Sequence, residues 1–101
     1  MNASPLSNSQ QRYLRGLGHG LKPVILVGAR GMSQAVLAEL DGALEHHELI
    51  KVKIAAGDRQ SRDAVVEEMV RRSRAALVQR IGNVALLYRR CKDKPTLALP
   101  A

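Results

Sequence analysis

The chain has 101 residues, a net charge of +7 and 46% hydrophobic residues. That is one domain rather than two, and too apolar for a disordered tail. The charge asks for an acidic partner (nucleic acid, an anionic membrane surface or an acidic protein), while two tyrosines with no Phe or Trp exclude a reader that stacks several bases on an aromatic sheet.

Residues 1–6 read as a flexible N-terminus. Ser7 or Ser9 can cap a first helix that places Tyr13, Leu14 and Leu17 on one face, and Gly16, Gly18 and Gly20 end it. Pro23 opens a strand, Val24 to Val27, apolar at every position, which is the pattern of a strand buried on both faces. The run Gly28-Ala29-Arg30-Gly31 turns the chain. Ser33 can cap a second helix whose core stripe is Val36, Leu37, Leu40, Ala43 and Leu44.

Leu49 to Ile54 alternates Ile50, Val52 and Ile54 against Lys51 and Lys53, a strand with one buried and one basic face. Asp58 or Ser61 can cap a third helix, with Val65, Val66, Met69 and Val70 inward and Arg71, Arg72 and Arg74 in its last turn, where cations suit the helix dipole. Leu77 to Ile81 and Val84 to Tyr88 flank Gly82-Asn83, a II′ hairpin signal. Thr96 to Leu99 reads as a last short strand. The expected fold is α/β: a single compact domain over residues 1–101, a helix followed by β-α-β-α-β-β. Its mixed four-stranded sheet carries helices mainly on one face, and the other face is partly open.

The charge is uneven. Met32 to Ile50 holds four acids and no Lys or Arg, whereas Arg71 to Lys94 holds eight basic residues and one acid, Asp93. In a chain already at +7, that run favours a phosphate-contacting patch, with the acidic second helix turned away from nucleic acid. The glycine turn is the most chemical feature. Two glycines let backbone approach a ligand, the following helix offers free amides to an anion, and Arg30 adds a guanidinium fork. It is neither a dinucleotide fingerprint nor a P-loop, since Leu26 stands where an earlier glycine is needed and no Gly-Lys-Ser/Thr follows.

Other chemistry is weakly signalled. His46 and His47 are adjacent, so on a helix they diverge, and with His19 and Cys91 they form no metal-ligand spacing. Cys91 is the single cysteine and falls in an exposed-looking basic tail. An internal disulfide is excluded, in keeping with a reducing compartment. No acid/base or nucleophile constellation is visible, so neither an enzyme, a metal nor a cofactor is expected. No apolar run approaches the roughly 18 residues of a membrane span and no secretory signal is visible, so a cytoplasmic protein is expected.

Two stretches, Leu21 to Gly31 and Ala43 to Ile54, resemble the bacterial YhbY-type proteins, the stand-alone form of the CRM domain (chloroplast RNA splicing and ribosome maturation). The resemblance runs from about Gln10 to Leu99. It implies an α/β fold similar to the C-terminal domain of a bacterial translation initiation factor. It also implies RNA binding and association with precursors of the large ribosomal subunit. The family's GxxG loop, likened to that of KH domains, falls on Gly28, Ala29, Arg30 and Gly31, and its basic strand residues fall on Lys51 and Lys53.

The expected function is therefore a non-enzymatic RNA-binding protein of ribosome assembly. The glycine loop would clamp RNA backbone, extended by Lys22, Lys51, Lys53 and the arginines Arg59, Arg80 and Arg89. Its partner would be large-subunit ribosomal RNA or pre-ribosomal particles, with no membrane or small-molecule substrate, and the positive charge favours a monomer. Two alternatives stand beside it: a basic nucleoid-type DNA binder, for which no recognition helix is apparent, and a ribosome-docked protein adaptor.

Overall fold

In the computed structural model the described residues are 6–28, 31–55, 57–91 and 97–100. They form α1 (Asn8–Gly18), β1 (Pro23–Val27), α2 (Gln34–His47), β2 (Leu49–Ile54), α3 (Arg59–Ser73), β3 (Ala76–Ile81) and β4 (Val84–Tyr88). Each helix starts on the cap that its sequence offers. Ser7 closes a capping box with Gln10, the Ser33 hydroxyl accepts from the Val36 N–H at 3.2 Å, and the Asp58 carboxylate accepts from the Ser61 N–H at 2.8 Å.

One mixed sheet runs in the order β1-β2-β4-β3. β1 and β2 are parallel across the α2 crossover, and β4 pairs antiparallel with both β2 and β3. β4 thus slots between the two strands that α3 connects. Gly82 has φ +58 while Asn83 stays out of the positive region, as a II′ turn needs, and Ile81 pairs with Val84 across it.

α2 and α3 cover one sheet face. Ile25, Val27, Ile50, Val52, Ile54, Ala85 and Leu87 meet Leu40, Leu44, Val66 and Met69 there. Twelve buried residues in one cluster make this the principal core, and its burial is the main stabilising term. α1 lies on the other face. Leu14 packs over Leu49, Val78, Leu86 and Tyr88, joined by Leu6, Leu97 and Leu99. Gly18 brings α1 close to β4: a Cβ there would stand 2.6 Å from Leu86 Cδ2. Tyr13 and Leu17, expected on one face with Leu14, are 41% and 38% exposed while Leu14 is fully buried.

Three expectations change. β1 is an edge strand buried on one face only, since α1 is too short to reach over it: Val24 and Leu26 are 51% and 62% exposed. Leu97 to Pro100 form no strand but lie as an irregular segment over α1, where Gln10 donates to the Pro100 carbonyl at 3.1 Å; Thr96 lies outside the described residues. Leu6, expected in the frayed end, packs against the second cluster. Residues 1–5 lie outside the described residues.

Candidate functional site

The parallel pair β1–β2 ends where β4 begins. That end of the sheet gathers three connections: the turn after β1, the β2–α3 loop and the Gly82-Asn83 hairpin. Two backbone bonds tie them, Ala55 N–H to the Val27 carbonyl and Ile54 N–H to the Asn83 carbonyl, each 2.7 Å. α2 and α3 both start there, so the positive ends of two helices point the same way. The carboxyl end of parallel strands is the usual place for ligands in α/β sheets, for this reason.

The Gly31 N–H donates to the Gly28 carbonyl at 3.0 Å and closes the four-residue turn. Gly31 sits at φ +71, a conformation that side chains rarely adopt, whereas nothing lies within 4 Å of a Cβ built at Gly28. Ala29 and Arg30 lie outside the described residues. The far side of the turn is anchored by Arg72, which donates to the Met32 carbonyl at 3.1 Å and pairs with Glu68 at 3.2 Å.

Around the corner, Arg59, Arg62, Asp63, Arg80 and Gly82 line a cleft of about 380 Å³. Arg80 is held by an ion pair with Asp63 and donates from Nε to the Gly82 carbonyl at 3.3 Å. Arg62 donates to the Gly57 carbonyl at 3.3 Å, and its Nε is buried without a partner among the described residues. Arg59, at the first position of α3, is exposed and has no ion pair among the described residues. Three guanidinium groups against one carboxylate leave this cleft positive, as a phosphate seat requires.

Lys51 and Lys53 point to the face that α1 partly covers, away from the principal core, and neither has an ion pair among the described residues. Lys53 stands in register with Leu26 and Val84 beside the loop end; Lys51 lies one row back. Lys22 is exposed just before β1, and so at the opposite end of that strand from Gly28.

Arg89 lies at the other end of the sheet. Its guanidinium donates to Asp41 Oδ1 at 2.9 Å, to the Ser73 carbonyl at 2.7 Å and to the Asp41 carbonyl at 3.3 Å, and it pairs with Glu45 at 3.5 Å. The side chain is 21% exposed and clamps β4 to the end of α2 and α3. The structure thus gathers Gly28, Gly31, Arg59 and Arg80 at one end of the sheet, sets Lys53 at that same end on the opposite face from Arg80 with Lys51 one row back, and leaves Lys22 and Arg89 away from it.

Two residues of the far end escape a sequence reading. Glu48 is fully buried at φ +63, where α2 hands over to β2; its carboxylate accepts from the Cys91 N–H at 2.6 Å and the Leu97 N–H at 2.8 Å. It pins the C-terminal segment to the sheet. Cys91 is accordingly buried beside Glu45, at 3.4 Å, and not exposed in a basic tail. Arg62 is the residue missed at the loop end; its signal was the spacing of three from Arg59, which puts both on one face of α3. His46 and His47 meet edge to face in the last turn of α2, and no group of three metal-binding side chains forms among the described residues. No helix among the described residues is long and apolar enough to cross a membrane.

Residues 6–89 match the model of the CRS1 / YhbY (CRM) domain. The chain belongs to the CRM family. An RNA-binding protein of Haemophilus influenzae is 48% identical over 84 residues, which cover 83% of this chain and 85% of that one. A protein of Bacillus subtilis named probable RNA-binding protein YqeI is 37% identical over 95 residues, 94% of this chain and 99% of its relative. Among solved structures, a hypothetical protein of Staphylococcus aureus superposes with a TM-score of 0.79 at 32% identity, over 95% of this CRM chain and 100% of its own. The three-helix, four-stranded mixed sheet is therefore the CRM fold.

Proposed function

We propose that this CRM protein is a cytoplasmic, monomeric RNA-binding factor of ribosome assembly, acting on precursors of the large ribosomal subunit. It works by holding RNA backbone, with no chemical step. The observation that carries the reading is the convergence at one end of the sheet. A glycine turn, two helix N-termini and the Arg59–Arg62–Arg80 cleft all present positive potential there.

In this mechanism a phosphate sits against the backbone of the Gly28–Gly31 turn, with Arg30 as its side-chain fork. Neighbouring phosphates reach Lys53 and Lys51, and then Arg59 and the cleft behind it. Lys22 extends the path along β1. Asp63 keeps Arg80 in place as part of the cleft wall, and Arg89 serves the scaffold. The names of the relatives support RNA as the partner.

The test is ultraviolet crosslinking in cells, with sequencing of the attached RNA. Gly28→Asp is the chosen variant, because it adds a negative charge in open space at a residue with an ordinary φ. Gly31→Asp would also strain the backbone, so a loss of binding there would have two causes. Crosslinks concentrated on large-subunit ribosomal RNA and lost in Gly28→Asp are expected. Crosslinks scattered over unrelated RNA, or indifferent to the variant, would sink the assembly role and the loop mechanism respectively.

A further inference from the structure

On the α1 side of the sheet, the row nearest the loop end is open, and the row behind it is partly covered by α1. The register sets Leu26, Lys53, Val84 and Ile81 side by side across all four strands. Behind them come Lys51, Leu86 and Gln79, with Val24 on the edge. α1 covers Leu86 of this second row, which is 2% exposed, as well as the third row, Leu49 and Tyr88. Leu26 and Ile81, the two ends of the front row, are 62% and 67% exposed. Between the rows and the end of α1 is a depression of about 260 Å³ lined by His19, Lys51, Gln79, Ile81, Val84 and Leu86.

Leu26 and Ile81 stand on the two edge strands, with Lys53 and the partly exposed Val84 between them, so the row forms one continuous exposed strip across the sheet, the kind of surface that marks a binding site. This one is interleaved with cations. A second copy laid on it would bring Lys51 and Lys53 against their own kind across a two-fold axis, in a chain of net charge +7. The face suits an occupant that is flat, apolar on its faces, polar on its edge and attached to a negative chain. A nucleobase of single-stranded RNA has those properties. Ile81 and Val84 offer an apolar floor, which the buried Leu86 closes off beneath α1. The Gln79 amide carries both donors and an acceptor and has no hydrogen-bond partner among the described residues, and the His19 imidazole stands at the rim. Lys51 and Lys53 lie where the phosphates of an occupant would pass.

We infer that this open end of the sheet is an aliphatic platform for unstacked bases of single-stranded RNA, with the Gln79 depression seating one of them. The inference rests on the RNA-binding reading and adds to it. Leu26 is two residues before Gly28, which directly follows β1, about 7 Å along the chain. An RNA strand clamped at the glycine turn therefore has its bases over the front row. Aromatics are dispensable because burying the face of a base on aliphatic side chains removes apolar surface from water on both partners.

The test compares two labelled probes by fluorescence anisotropy: a single-stranded RNA of about 12 nucleotides, and the same sugar-phosphate chain without bases. The variants are Leu26→Ser with Ile81→Ser, and Gln79→Ala. Leu26 and Ile81 are largely exposed, so melting curves should match the parent. The wild type should prefer the base-bearing probe. The double variant should lose about tenfold on that probe and stay within about twofold on the abasic chain, and Gln79→Ala should lose about threefold on the first alone. Binding of both probes with no preference for bases would overturn the platform and leave the backbone clamp standing. A double variant that keeps the full preference would also overturn it and assign the face to a protein partner. A wild type that binds neither probe would overturn the RNA reading itself.

Discussion

The two ends of the sheet use the same residue types to opposite effect. At the far end two charged side chains, Arg89 and Glu48, are turned inward. Arg89 is shared among Asp41, Glu45 and the Ser73 carbonyl, and buried Glu48 takes the backbone N–H groups of Cys91 and Leu97. At the loop end Lys51, Lys53 and Arg59 have no ion pair among the described residues, and apolar side chains stand uncovered beside them. Under the proposed function, Arg89 with its protein partners serves the scaffold, whereas Lys51, Lys53 and Arg59, which have no ion pair among the described residues, are offered to RNA. The count of basic residues in the run from Arg71 to Lys94 does not distinguish the two, but their partners do.

The largest effect is expected at Glu48. Glu48→Ala leaves two backbone donors without their charged acceptor, and we expect a loss of about 3 kcal/mol in urea unfolding. Hydrogen exchange at the Cys91 amide should accelerate well beyond that of β4, because the C-terminal segment is released. RNA affinity of the folded fraction should be unchanged.

Arg89→Ala and Arg59→Ala form a reciprocal pair. The first should cost about 2 kcal/mol of stability, because it strands Asp41 and the Ser73 carbonyl, with RNA affinity unaltered. The second should leave the melting curve in place and weaken RNA binding about fivefold at low salt, lowering the slope of log affinity against log salt by about one. The reverse pattern would mean that the ends have been assigned the wrong way round.

The smallest effect lies at Asp58. Hydrogen bonds from Ser61 hold its carboxyl below the ordinary value of 3.8. A carboxyl depressed by folding stabilises above its unfolded pKa, and that contribution is lost as pH falls through the folded one. Acid titration of stability should therefore show a small drop below pH 3.8 that Asp58→Asn removes, since Asn caps equally well at neutral pH. At the alkaline side the sign reverses. Burial and the charge of Glu48 raise the Tyr88 phenol above 10.0, so stability present below that pH is lost as Tyr88 is forced to ionise.

Most of the architecture was legible because local signals agreed with the global fold. Ser33 capped its helix, Lys51 and Lys53 alternated out of the core, and Gly82 turned its hairpin. β1 was not legible in full. Four apolar residues in a row show that a strand can be buried on both faces, not that α1 is long enough to cover the second. Glu48 was unreadable because its burial depends on a turn at positive φ and on a segment more than forty residues later. Gln79 reaches the open face through an irregularity in β3 between Leu77 and Gln79, which periodicity does not register. At the candidate site, the glycine turn and the two lysines could be named from sequence, whereas the division of the arginines between cleft and scaffold required their partners.

The most direct test is a titration of the isotope-labelled protein with single-stranded RNA, followed by amide chemical shifts. The largest changes are expected at Gly28, Gly31, Lys53, Arg59 and Gly82, fading toward Tyr88. Changes centred on Asp41, Arg89 and the end of α2, with the loop end silent, would contradict it.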